Sequence, residues 1–316
     1  MSPVVRGRFA PSPTGFLHLG NLWCALLAWL SARAAGGAFI LRMEDLDPGR
    51  CRPDHAARVL DDLRWLGLDW DEGPDVGGPA GPYVQSACGA AYAAALETLA
   101  ARAEVYPCYC TRADLHAAGA PHLDDGAVLY AGRCRGLSPA QRAAREAAGR
   151  RGALRIAVPD ETVRFTDGLL GPQAQNLAAE CGDFILRRSD GVFAYQLAVV
   201  VDDGRMGVTQ VVRGRDLVSS TARQIWLQRL LGLPQPAYCH VPMLVNAAGR
   251  RLSKREQSLG IAALRQRYSA QALCGELAAM AGLLDTPAPV APAELVACFS
   301  WEKVPRDDVT VPARLL

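Results

Sequence analysis

The chain has 316 residues, 50% of them apolar, and a formal net charge of +2. That length holds one large domain or two modest ones around a sizeable core, and no run of about 18 apolar residues offers a membrane span. No apolar leader segment follows Arg6 and Arg8, so the expectation is a cytoplasmic protein, and a monomer.

Near-neutral charge neither demands nor forbids nucleic acid, since a local basic surface is enough to hold phosphates. Ten cysteines in a chain with no sign of export predict thiols or metal ligands rather than disulfides. Only two of the 34 basic residues are lysines, Lys254 and Lys303. In a chain drifted so far toward Arg, a remaining Lys points to work that needs a compact charge on a flexible stem.

Residues 4–10 predict a short strand, which Pro11, Pro13 and Gly15 break into a turn. Apolar residues at helical spacing predict a helix over 20–35, and residues 38–43 read as a second, buried strand. Asp54 to Leu66 predicts a helix capped by Asp54. This alternation is the mark of a parallel α/β sheet. A Gly/Pro-rich loop spans Gly73 to Pro82, an Ala-rich helix runs from Ala87 to Ala103, and 106–135 is irregular and holds three cysteines. Pro139 to Arg150 predicts a helix, 153–166 and 183–201 read as strand-rich, and Ala222 to Leu231 reads as an amphipathic helix. Residues 241–255 return to a strand and a basic loop, and the chain beyond Gly260 is helical, then Pro-rich. The expected organisation is a doubly wound catalytic domain (1–105 and 191–255), an insertion at 106–190 and a helical region at 256–316.

The stretch Arg8 to Asn21 joins the first strand to the first helix, the edge where doubly wound sheets bind ligands. A helix N-terminus presents free N–H groups and partial positive charge to an anion, and His18 and Asn21 stand there. Arg8-Phe9-Ala10-Pro11-Ser12-Pro13-Thr14-Gly15, followed by Leu17-His18-Leu19-Gly20, resembles the HIGH signature of the class I aminoacyl-tRNA synthetases in its glutamyl and glutaminyl form. Arg251-Leu252-Ser253-Lys254-Arg255 resembles their lysine loop, KMSKS, with Ser253 and Lys254 as the strict matches. The resemblance implies ATP bound by Pro11, His18, Gly20, Asn21, Arg251, Ser253 and Lys254, with His18 and Lys254 catalytic. The α-carboxylate of an amino acid would attack the α-phosphate of ATP–Mg²⁺, a step served by positioning and charge stabilisation.

Arg8, Glu44 and Arg213 fall at predicted carboxyl ends of strands, where cations for two carboxylates and an acceptor for an ammonium would suit glutamate. The resemblance carries glutamate onto Arg8, Ala10, Ser12, Glu44, Tyr195 and Arg213. Asp45 and Asp47 read equally as salt-bridge or turn residues, and Asp202 and Asp203 as a loop cap or as contacts to ribose or Mg²⁺.

Cys108, Cys110 and Cys134 can enclose zinc, with His116, His122, Asp124, Asp125 or Tyr130 as a fourth donor. The resemblance points to Cys108, Cys110, Tyr130 and Cys134 around one structural Zn²⁺. Tyr130 four residues before the last Cys resembles the short glutamyl-queuosine branch of this subgroup. About 60 residues remain after the lysine loop, too few for the usual anticodon-binding domain. The implied activity is tRNA-independent formation of glutamyl-adenylate, then transfer of glutamate to queuosine at the anticodon wobble position of tRNA(Asp). The alternatives are a truncated glutamyl-tRNA synthetase charging a 3′ end, or a non-catalytic RNA-binding relative.

Overall fold

The computed structural model describes residues 4–111, 113–114, 129–130, 132–250, 252 and 260–316. Strand and helix alternate first as β1 (Arg6–Phe9), α1 (Leu19–Ala34), β2 (Ala38–Leu41) and α2 (Pro53–Leu66). β1 and β2 run parallel, with Arg8 opposite Ile40 and Phe9 opposite Leu41, so their carboxyl ends share one edge. α1 buries Leu19, Trp23, Leu26, Leu27 and Leu30 on all its faces; a helix apolar all round belongs inside a core. The Trp23 indole donates to Pro242 O at 3.0 Å, which ties this first half to the later one. α2 starts earlier than expected. Arg52 holds the cap, Pro53 takes the first helical position, where its missing N–H costs nothing, and Asp54 lies in the first turn rather than at the cap. Gly67, left-handed at φ 91°, ends the helix.

After α3 (Gly89–Arg102), β3 (Val105–Cys108), β4 (Ala153–Ile156) and β7 (Phe184–Arg187) form an antiparallel sheet. The exposed α4 (Pro139–Ala147) precedes β4. β5 (Thr162–Asp167) and β6 (Gly171–Asn176) make a hairpin. β8 (Gln210–Gly214) and β9 (Ala237–Val241) run parallel, and β5 meets β9 at Asp167 and Tyr238. β8 lies beside β1: Thr209 N–H donates to Arg6 O at 3.0 Å, and Arg6 N–H to Thr209 Oγ1 at 2.8 Å. α5 (Tyr195–Arg205) and α6 (Val218–Leu231) flank β8 in sequence. β10 (Leu244–Val245), α7 (Ile261–Arg267), α8 (Ala270–Met280), α9 (Pro292–Leu295) and β11 (Val309–Thr310) follow, with β10 and β11 paired in parallel. One apolar cluster gathers α1, α2, α8 and the last residues; a second gathers α3, α5 and α6 with Phe165 and Tyr238; a small third holds the cysteines.

Two expectations fail, for one reason. Residues 183–201 hold one strand, Phe184–Arg187, and then a helix from Tyr195. Leu197 to Asp203 are buried without interruption, so no exposed face interrupts the apolar run to reveal a period of 3.6. The helix expected as amphipathic at Ala222 to Leu231 starts at Val218 and is buried from Ser220 to Gln228. Its polar Thr221 and Gln224 bond to Arg213 instead of facing water. Among the described residues no helix is long and apolar enough to cross a membrane.

Candidate active site

At the shared edge of β1 and β2, Arg8, Arg42, Glu44 and Asp203 form one buried charge network. Arg42, fully buried, donates Nη1 to Asp203 Oδ1 at 2.7 Å and Nη2 to Glu44 Oε1 at 3.1 Å, and its Nε lies 3.9 Å from Asp202 Oδ2. These carboxylates raise the Arg42 pKa despite its burial. Arg8 reaches Asp203 Oδ1 from Nε at 3.4 Å and donates Nη1 to Val212 O at 3.2 Å. Burial opposes a charge on Asp203, but Arg8 and Arg42 hold its pKa below the ordinary value. Glu44 goes the other way: burial raises its pKa against the pull of Arg42 and Arg8. Asp202 accepts from Gln85 Nε2 at 2.8 Å and Tyr92 OH at 2.7 Å. The two aspartates thus serve this interior network rather than a loop cap.

Arg213, on β8, has different company. Its Nε donates to His240 Nε2 at 3.0 Å, Nη1 to Gln224 Oε1 at 2.7 Å and Tyr195 OH at 3.4 Å, and Nη2 to Thr221 Oγ1 at 2.9 Å and Leu217 O at 3.3 Å. Every acceptor in that set is uncharged. Arg213 is 5% exposed, and among the described residues no carboxylate pairs with its guanidinium. Behind it, His240 Nδ1 lies 2.6 Å from Asp167 Oδ2. Burial pushes the His240 pKa down to about 4, and the Arg213 charge adds to the fall against the attraction of Asp167.

The turn after β1 delivers His18 to the N-cap of α1, its N–H donating to Asn21 Oδ1 at 3.0 Å. A Cβ on residue 20 would stand 3.2 Å from the His18 ring, so Gly20 gives the imidazole its room. Gly260 bridges to His18, and Ile261 N–H donates to Leu17 O at 3.0 Å. Arg251, Ser253 and Lys254 lie outside the described residues, as do His116, His122, Asp124 and Asp125. Asp45 accepts from Ser86 N and Oγ at 2.8 and 2.7 Å. Asp47 pairs with Arg188 at 3.0 Å and accepts from Gly49 N–H at 3.1 Å.

In the third cluster Cys110 Sγ lies 3.7 Å from Cys134 Sγ, and Tyr130 OH lies 3.5 Å from Cys108 Sγ and 3.9 Å from Cys110 Sγ. Tetrahedral metal–sulfur bonds of about 2.3 Å place two sulfurs about 3.8 Å apart, so the donors fit one metal ion. Burial pushes the Cys110 thiol up to about 11. Cys134 N–H donates to Tyr130 OH at 2.7 Å, and the Arg155 guanidinium lies 3.9 Å from the Tyr130 ring centre. Burial and the neighbouring thiols raise the Tyr130 pKa, and the Cys134 N–H works against that rise.

Residues 4–274 match the family model of the tRNA synthetases class I (E and Q), catalytic domain. The chain belongs to that family. The glutamyl-Q tRNA(Asp) synthetase of Nitratidesulfovibrio vulgaris is 55% identical over 315 residues, which cover 99% of this chain and 97% of that one. Its namesake in Symbiobacterium thermophilum is 53% identical over 313 residues, 98% and 97% of the two chains. The crystal structure of the glutamate-tRNA synthetase from Elizabethkingia anophelis superposes with a TM-score of 0.85 at 27% identity, over 99% of this chain and 69% of that one.

In this synthetase chain, then, the fold brings Arg8 and Glu44 together through Arg42 and Asp203, and Tyr195 together with Arg213. β1 and β8 join the two pairs, since Arg8 bonds to Val212, the neighbour of Arg213. Sequence reasoning missed Arg42, Asp167, His240, Thr221 and Gln224. A lone histidine inside the apolar run from Tyr238 to Val241 was the one trace of this second set.

Proposed function

We propose that this chain activates L-glutamate with ATP and transfers it to queuosine at the wobble position of the tRNA(Asp) anticodon. Arg213 is the observation that carries the glutamate half: a buried guanidinium with neutral acceptors on every side, beside the Tyr195 hydroxyl. A buried cation without a counter-ion is costly, and a side-chain carboxylate of the substrate would supply one. A carboxamide would not, which argues for glutamate over glutamine. Arg8 takes the α-carboxylate and Glu44 the ammonium, with Ala10 and Ser12 along the same turn.

The activation step joins an α-carboxylate oxygen to the α-phosphorus of ATP–Mg²⁺ and expels pyrophosphate. Pro11, His18, Gly20 and Asn21 face the phosphates at the start of α1, and Arg251, Ser253 and Lys254 carry the leaving charge. The acceptor hydroxyl then attacks the adenylate carbonyl and releases AMP. Cys108, Cys110, Tyr130 and Cys134 would hold one Zn²⁺, which ties the segments around Cys108 and Cys134 together. Queuosine as acceptor rests on the glutamyl-Q relatives, whose full length this chain nearly matches.

Radiolabelled glutamate, ATP and three RNAs test the reading: tRNA(Asp) with queuosine, tRNA(Asp) without it, and tRNA(Glu). Label confined to the first supports the proposal. Label on tRNA(Glu) replaces the acceptor with a tRNA 3′ end and leaves the glutamate site standing.

A further inference from the structure

Between Arg213 and the Asp167 carboxylate stands one imidazole, that of His240. His240 is 0% exposed and Asp167 is 2% exposed, so neither faces bulk solvent. Asp167 is fixed from several sides. Its Oδ1 accepts the N–H groups of Leu169 at 3.0 Å and Leu170 at 2.9 Å, at the β5–β6 turn. Its Oδ2 lies 2.6 Å from His240 Nδ1 and 3.2 Å from His240 N. A carboxylate accepts, so the Nδ1 proton is on the histidine. A neutral ring with Nδ1 protonated makes Nε2 an acceptor, and it faces the Arg213 Nε–H at 3.0 Å, with the Thr221 hydroxyl at 3.3 Å beside it.

We propose that His240, held in this tautomer by Asp167, is a positioning residue that aims Arg213 at the distal carboxylate of the substrate. This rests on the glutamate reading of Arg213 above. A guanidinium is planar, so fixing its Nε direction fixes the plane and the reach of both Nη groups. The arrangement also explains why a histidine stands there rather than an acid. An aspartate in contact with Arg213 would orient it equally well, but would neutralise it and compete with the substrate. The imidazole passes on orientation and keeps the negative charge one ring away. Arg213 thus stays a cation in want of a carboxylate. The carboxylate that anchors this arrangement comes from the β5–β6 hairpin, far in sequence from the motifs that carry the rest of the site.

Glutamate and ATP affinities by titration calorimetry on the full chain test the proposal with two variants. His240→Asn keeps a partner for Asp167 but falls short of Arg213; its glutamate affinity should drop about 30-fold, the usual cost of leaving a buried charged donor unpaired. His240→Gln places a carbonyl where Nε2 was, and should recover most of that loss. ATP affinity should stay unchanged in both, which a general loosening of the fold would not allow. A His240→Asn protein that binds glutamate like the parent overturns the proposal, and so does a Gln variant as weak as the Asn one. Arg213→Ala, measured alongside, separates the two claims. If it too binds glutamate normally, the glutamate reading of Arg213 fails; if it alone is weak, only the positioning role fails. Nitrogen NMR of the unmodified protein at neutral pH is independent of any variant's folding. The proposal requires Nδ1–H and a bare Nε2, and a proton on Nε2 overturns it.

Discussion

Two buried arginines divide this site. Arg42 is surrounded by Glu44, Asp202 and Asp203; Arg213 is surrounded by an imidazole, a carboxamide, two hydroxyls and a carbonyl. Both are almost inaccessible to water. The first has its counter-charges built in, so its work is done once the chain folds: it holds Glu44 and ties β2 to α5. The second has orientation without a carboxylate partner among the described residues, and on the proposed reading the substrate supplies that partner. A buried charge compensated within the fold speaks of architecture, and one left uncompensated speaks of a ligand.

The sharpest way to break that comparison is to remove each charge and measure folding. Arg42→Met leaves three buried carboxylates with only Arg8 beside Asp203 and Arg205 beside Asp202, and should cost about 3–5 kcal/mol in urea unfolding. Arg213→Met deletes an uncompensated cation together with its hydrogen bonds, and should cost about 1–2 kcal/mol. Equal losses would mean that Arg213 is as structural as Arg42.

Acid should act on the two sides with opposite sign. The His240 pKa falls from 6.5 to about 4 on folding. Between those values the unfolded chain binds the proton more readily, so this group's contribution to stability is complete above about pH 6.5 and is lost as pH falls toward 4, by about 3 kcal/mol in all. A charged His240 would face Arg213 and Arg8 with only Asp167 to balance them. Glu44 behaves in reverse: burial raises its pKa, so its protonation relieves strain. Urea midpoints of the parent and His240→Gln at pH 7 and pH 4.5 isolate the histidine. The parent should lose more than the variant, and parallel losses would remove His240 from the account.

The β1–α1–β2–α2 alternation was legible because breakers such as Pro11 and Pro13 separate its elements and the apolar stretch of α1 is too long for a strand. Arg8, Glu44, Tyr195 and Arg213 were legible through motifs a few residues long. The partners that give them their charge state were not. Arg42 meets Asp203 across 161 positions of chain, and His240 meets Asp167 across 73. No local pattern encodes such pairings; the first appears only once α5 is packed against the end of β2, and the second once β5 and β9 are laid side by side. α5 was hidden by the same burial that makes it central, since a helix covered on all sides shows no polar face.

The smallest expected effect is also the finest test of the division. Glu44→Gln keeps an oxygen for Arg42 and nearly the same volume, so the fold should hold, with an unfolding midpoint close to the parent's. What it removes is the charge that would meet the substrate's ammonium. One charge-assisted hydrogen bond becomes a neutral one, a change of roughly tenfold in glutamate KM, while the KM for ATP stays put. Arg42 would then keep Asp202 and Asp203 as counter-charges, so the architectural arginine should tolerate the loss of one acid that the substrate cannot. A Glu44→Gln protein that unfolds early yet binds glutamate normally would reverse the roles assigned to the two sides of Glu44: its bond to Arg42 would matter for the fold, and its face toward the substrate would not.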